Sequence, residues 1–103
     1  MTIKLIKKED TTTIQFKDLK SRQLDLTNIK TIQNKVKGIT SRNILLDFHN
    51  VDYIDSSIIG FIVETFNIFR NNGGQFKIIR VNKNIFEILE MTNLTKFLEI
   101  ERT

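Results

Sequence analysis

The chain has 103 residues, 27% of them charged, with a formal net charge of +4 and neither cysteine nor proline. This length is expected to form one domain, residues 1–103, around one modest core, with no room for a separate catalytic domain. Without cysteine there is no disulfide framework or Cys-based metal centre. No apolar run approaches the ~20 residues of a membrane span, and no signal peptide opens the chain, so a cytoplasmic location is expected.

The charge is uneven. Residues 1–43 carry ten Lys/Arg against four Asp/Glu, and residues 44–103 carry six against eight. The early lysines are scattered over predicted strands and a loop, which describes a solvated surface. A nucleic-acid reader would show a dense basic stripe with aromatic platforms, so no direct nucleic-acid partner is expected.

In chain order, Ile3–Lys7 and Thr12–Phe16 read as β-branched strands joined by a turn at Glu9-Asp10. Lys17–Gln23 is polar and reads as a loop. Leu26, Ile29, Ile32 and Val36 recur at helical spacing, with Asp25 or Thr27 as cap and Gly38 as stop. Asn43–Phe48 is the next strand. Its run Ile44-Leu45-Leu46 predicts a central strand covered on both faces.

A long helix follows from about Ser57 to Asn71, ending at Asn72-Gly73-Gly74. Phe76–Val81 reads as a strand. Asn82 or Asn84 caps a short helix through Ile85, Ile88 and Leu89, closed by Thr92-Asn93-Leu94. A last turn and short strand lie between Leu94 and Ile100. The order ββαβαβα(β) predicts a small α/β domain: a mixed β-sheet of four to five strands with right-handed crossover helices.

The segment Val51–Gly60 is the most informative. Two adjacent hydroxyls, Ser56 and Ser57, stand after Asp55 where a helix begins. A helix start offers free backbone amides and the positive end of a dipole, so it tolerates or binds a phosphate. The plain alternative is that both serines cap the helix, each worth about 1 kcal/mol.

On a wheel of 100° per residue, Ile59, Ile62, Val63 and Phe66 form the expected core stripe. Phe61 and Ile68 are left over, with Ile58 between the faces. Either a neighbouring helix covers the two, or they form an apolar docking patch or dimer face beside the hydroxyl pair.

No catalytic set is complete. His49 is the only histidine, so neither a metal site nor a hydrolase triad can be assembled around Ser56. An enzyme and a bound cofactor are therefore not expected. Asp25, Asp47, Asp52 and Asp55 fall near strand ends or helix starts and are expected to gather at one sheet edge.

Asp55-Ser56-Ser57, the preceding Val51-x-Tyr53-Ile54, the Gly73-Gly74 turn and the Leu89-x-x-Thr92-Asn93-Leu94 ending resemble the STAS domain. Over roughly Ile3–Ile100 the chain looks like a stand-alone anti-sigma factor antagonist. The resemblance implies that an anti-sigma factor serine kinase phosphorylates the serine after the aspartate, Ser56, with Ser57 the alternative. It implies that phosphorylation dissolves the complex and a phosphatase restores it. Partner contacts are expected at Asp25, Asp55, Ser57 and Ile58 from the resemblance and at Phe61 and Ile68 from the leftover helix face, and Asp47 at its strand end also fits the family's pattern.

Ile58 stands where such proteins usually have glycine, so its β-branched side chain is expected to shape the partner's approach. Arg22-Gln23 replaces a usual Gly-Glu. These departures leave a second function open, a non-phosphorylated STAS adaptor or scaffold in a signalling or transport assembly.

Overall fold

The computed structural model describes residues 1–103. Strands β1 (Thr2–Lys8) and β2 (Thr11–Lys17) form an antiparallel hairpin, closed by a turn in which Glu9 has φ 56°. Two-residue strands β3 (Gln23–Leu24) and β5 (Tyr53–Ile54) pair in parallel as a separate ribbon. The other elements are α1 (Leu26–Lys37), β4 (Asn43–Asp47), α2 (Ser56–Asn71), β6 (Phe76–Val81), α3 (Lys83–Met91) and β7 (Glu99–Arg102). The main sheet has the order β1-β2-β4-β6-β7, parallel throughout except for the first hairpin. The mixed α/β architecture expected from the alternation of elements is therefore present, with β4 at the centre.

Two expectations change. The sheet is covered on one face, not both. Ile14, Phe16, Ile44, Leu46, Phe76 and Ile78 are buried, whereas the alternate residues Thr13, Leu45, Lys77 and Ile79 are only half-buried. All the crossover helices pack on the first of these faces, so the apolar run in β4 did not signal a second layer. The stretch expected to be loop, Lys17–Gln23, contains a single 3-10 turn at Lys20–Arg22 and leads into β3.

The core stripe of α2 is rotated from the expected one. Its buried residues are Ile58, Phe61, Ile62, Thr65 and Phe69, while Ile59, Val63 and Phe66 are half-buried. The reason is the position of α1. The N-termini of α1 and α2 lie together, joined by a hydrogen bond from the Leu26 amide to Asp55. Val36 of α1 lies near Ile68 at the other end. The two helices thus run side by side, and α1 buries the flank that carries Phe61. Phe66 instead packs edge-on against Phe76 and tilted against Phe97. Twenty buried apolar residues join in one core.

Gly74 shows how closely the chain approaches itself beside the sheet. A Cβ there would sit 1.8 Å from the Arg42 carbonyl oxygen, so no larger residue fits without backbone movement.

Candidate functional site

The site is the corner where β3 and β5 deliver the chain to α1 and α2. Leu24 and Ile54 are buried and paired in register, which sets Asp25 and Asp55 side by side at two helix starts. Each aspartate is the N-cap of its helix. The Asp25 carboxylate accepts from the Thr27 amide at 3.0 Å and from the Thr27 hydroxyl. Asn28 completes a capping box by accepting from the Asp25 amide at 3.0 Å.

Asp55 does more. Its Oδ1 accepts from the Ser57 amide at 3.1 Å, the Ile58 amide at 3.2 Å and the Ser57 hydroxyl. Its Oδ2 accepts from the Leu26 amide of α1 at 3.0 Å. One carboxylate therefore caps its own helix and clips the neighbouring one. Burial raises its pKa, but the Ser57 hydroxyl and the three amides outweigh that and hold it below the ordinary carboxylate range.

This arrangement separates the two serines. Asp55, not either serine, is the cap, which corrects the capping alternative. Ser57 is half-buried and its hydroxyl is committed to Asp55. Ser56 occupies the first helical position, is exposed, and its hydroxyl has no hydrogen-bond partner in the chain. Two of the amides expected to receive a phosphate, those of Ser57 and Ile58, are already taken by Asp55. A phosphate on Ser56 would consequently project into solvent, beside an ionised carboxylate.

The other expected contact residues divide. Ile58 is 1% exposed and Phe61 4%, so both belong to the core and neither presents a side chain to a partner. The α-helical direction of Ile58 is inward, and α1 covers Phe61. Ile68 is 46% exposed but lies twelve positions beyond Ser56, about 18 Å along the axis, and is not part of this corner. Leu26, at 68%, and Tyr53, at 48%, are exposed here instead; Leu26 had read as part of the apolar stripe of its helix, and neither was expected as a contact.

Gly60 was also missed. It lies one turn beyond Ser56 on the same helix face, is exposed, and a Cβ there would meet nothing within 4 Å. The chain itself has no steric need for glycine at this position. An interior helical glycine costs about 1 kcal/mol relative to alanine, and that cost was the signal available in the sequence.

The four aspartates do not form one cluster. Asp52 pairs with Arg22 at 2.8 Å and accepts from Asn82 at 2.9 Å, tying the loop before β5 to the 3-10 turn and to the start of α3. Asp47 lies on the open face of the sheet, 3% exposed, where it receives Gln15 Nε2, the His49 amide and Arg80 Nε, each at 3.0 Å, plus a second guanidinium bond. Burial raises its pKa, and these partners together lower it further than burial lifts it. Arg80 reaches Asp47 because β6 has an irregular register between Ile78 and Val81, with Arg80 at φ 56°. The bulge lets Ile79 and Arg80 both leave the core side while Val81 returns to it. His49 is exposed beside this ion pair. No group of three or more His, Cys, Asp or Glu residues is placed to hold a metal ion.

Residues 9–103 match the STAS domain family, and the chain belongs to it. Its fold is similar to that of a candidate anti-sigma factor antagonist from Thermotoga maritima, at 23% identity and TM-score 0.84, covering 98% of this chain and 86% of that one. It is similar also to an anti-sigma-factor antagonist (STAS) domain protein from Planctomyces limnophilus, at 22% identity and TM-score 0.83, covering 98% and 90%. The Bacillus cell fate determinant SpoIIAA, in its phosphorylated form, matches at 15% identity and TM-score 0.71, covering 96% and 90%. At these identities the likeness is one of fold. No helix is long and apolar enough to cross a membrane.

Proposed function

We propose that the chain is an anti-sigma factor antagonist, switched by phosphorylation of Ser56. The single observation that carries this reading is the contrast between the two hydroxyls. Ser57 is locked to Asp55, whereas Ser56 is exposed and unpaired at the start of α2. A kinase can reach the Ser56 oxygen without dismantling a cap. Membership of the STAS family and the fold shared with SpoIIAA in its phosphorylated form support the same direction.

The partner is an anti-sigma factor with serine-kinase activity, which the unmodified corner binds. Leu26 and Tyr53 supply apolar contact around Ser56, and Gly60 leaves bare backbone for close approach. In the transfer, the Ser56 oxygen forms a bond to the γ-phosphorus of ATP as the bond to ADP breaks. The hydroxyl proton passes to a base on the kinase. The product carries about −1.5 to −2 charges next to ionised Asp55. With the Ser57 and Ile58 amides already held by Asp55, that charge must be desolvated at the interface, and the complex dissociates. A phosphatase that hydrolyses the ester resets the switch.

Incubation with a serine-kinase anti-sigma factor and ATP should add one phosphate to the intact mass, mapped by fragmentation to Ser56. Ser56→Ala should abolish it and Ser57→Ala should not. Ser56→Asp should weaken the complex by at least ~30-fold, the scale of an unpaired charge buried in an interface. Phosphate on Ser57, or unchanged affinity of Ser56→Asp, would overturn the reading. A complex indifferent to every Ser56 change would establish the constitutive adaptor instead.

A further inference from the structure

The far end of the α1–α2 seam carries a groove that the Ser56 corner does not use. A hollow of about 530 Å³ is lined by apolar Val36, Ile39, Ile68 and Phe69, with Lys37 and Arg42 at its rim. A second hollow of about 160 Å³ continues it along the seam, sharing Val36, Lys37 and Ile68 and reaching Phe61 and Glu64. Together they run from the level of Phe61 to that of Asn72, about 16 Å or three helical turns. Ile68 stands in the shared section with 46% of its surface exposed.

The charged residues lining the larger hollow are cations alone, Lys37 and Arg42, and the one carboxylate along the seam, Glu64, lines the smaller hollow beside Phe61. Residues 26–42, which comprise α1 and the segment after it, contain Lys30, Lys35, Lys37 and Arg42 and no carboxylate, a balance of +4 equal to that of the whole chain. None of the four forms an ion pair within the molecule. The apolar floor of the larger hollow, bordered by Lys37 and Arg42 with no ion-pair partner in the chain, is complementary to one kind of partner.

We propose that this seam is a second docking groove, and that it takes an acidic amphipathic helix of a partner protein. The partner's apolar residues at i, i+4 and i+7 lie along Val36, Ile68 and Ile39, and its carboxylates meet Lys37 and Arg42. A second copy of the chain fits poorly, because a two-fold contact would bring two carboxylate-free α1 helices together. A nucleic acid fits poorly as well, since Phe69 is buried and no exposed aromatic platform lines the groove. Ile68, in the shared section, lies about 18 Å from Ser56 along α2 and the near end of the groove at Phe61 about 8 Å, and Ser56 lines neither hollow.

The test uses the whole protein, labelled with ¹⁵N, and a synthetic amphipathic peptide of about four turns with a leucine face and otherwise glutamate. A peptide with the same leucines and lysine in place of glutamate is the control. The expected result is a set of shift changes centred on Val36, Ile39 and Ile68, an affinity that falls as salt rises, and no such change with the lysine peptide. Ile68→Glu and Lys37→Glu should each weaken the glutamate peptide at least about tenfold. Both residues are exposed, so the spectra of the variants should otherwise match the parent. Equal binding of the two peptides, changes located elsewhere, or none at all would overturn the proposal. Concentration-dependent dimerisation through the same residues, or displacement of the peptide by a DNA duplex, would overturn it in favour of those occupants.

Discussion

The starts of α1 and α2 share a local design. In each, a buried aliphatic residue ends a two-residue strand, an aspartate caps the helix, and a hydroxyl two positions on donates to that aspartate. They differ at the first helical position. In α1 it is Leu26, an exposed apolar residue; in α2 it is Ser56, an exposed unpaired hydroxyl. They differ also in reach, because Asp55 accepts from the Leu26 amide of α1, while Asp25 has no bond to α2. The cap is thus the structural part of the corner, and the residue beside it is free to be chemical. A phosphorylatable serine can be added to such a cap without cost to the fold, which suits a switch that must leave the domain intact.

Removing the two aspartates in turn should expose the difference most strongly. Asp25→Ala loses one cap and should cost about 1 kcal/mol. Asp55→Ala loses a cap and leaves the Leu26 amide unpaired, and should cost about 2–3 kcal/mol. Urea midpoints of the two variants check this, with the slope unchanged if the fold is retained. Equal losses would mean that the bond between the helices contributes nothing.

Titration sharpens the same contrast. Asp55 and Asp47 both have folded-state pKa values below the ordinary carboxylate value of about 4. Each therefore stabilises the fold above the unfolded pKa, and that stabilisation is lost as pH falls through the lower folded value. Asp55→Asn keeps an acceptor oxygen but removes the charge. It should be less stable than the parent at pH 7, and the gap should close on acidification below about pH 4. A gap that persists unchanged to pH 2 would show that the amide, not the lost charge, is responsible.

Much of this corner was legible before any coordinates. The helix start after Asp55 and the Gly73-Gly74 turn follow from local chemistry, as do Asn82, one of the two caps expected for α3, and Asn93, which has φ 63°. The residues that misled share a physical cause: their environment is set by elements distant in sequence. Phe61 looked spare on a helical wheel, which carries no record of α1, and of the two readings offered, cover by a neighbouring helix is the one that holds for it. Ile58 looked like a partner contact because it stands where glycine is usual, yet the helix turns it to the core. The run Ile44-Leu45-Leu46 gave no sign that helices would cover only one side. Arg80 is the hardest case, since a bulge in β6 re-aims it onto Asp47 and no residue near it announces a bulge.

Gly60 offers the smallest effect on stability and the cleanest separation of fold from function. At an exposed interior position of α2, with open space where a Cβ would stand, glycine is the poorer helix former. Gly60→Ala should stabilise the protein by about 0.5–1 kcal/mol, through helix propensity and a less flexible unfolded chain. The same methyl group would stand on the surface one turn from Ser56, where a partner is proposed to approach. Binding of the serine-kinase anti-sigma factor should therefore weaken while thermal stability rises. The equivalent exposed position in α1, Lys30, lies one turn beyond Leu26, and Lys30→Ala should leave that affinity within about twofold. Opposite signs for stability and binding at Gly60 identify a residue kept for contact. A variant that is both more stable and fully competent would show that the partner does not touch this turn of α2, and would confine the interface to the ridge formed by Leu26, Tyr53 and Ser56.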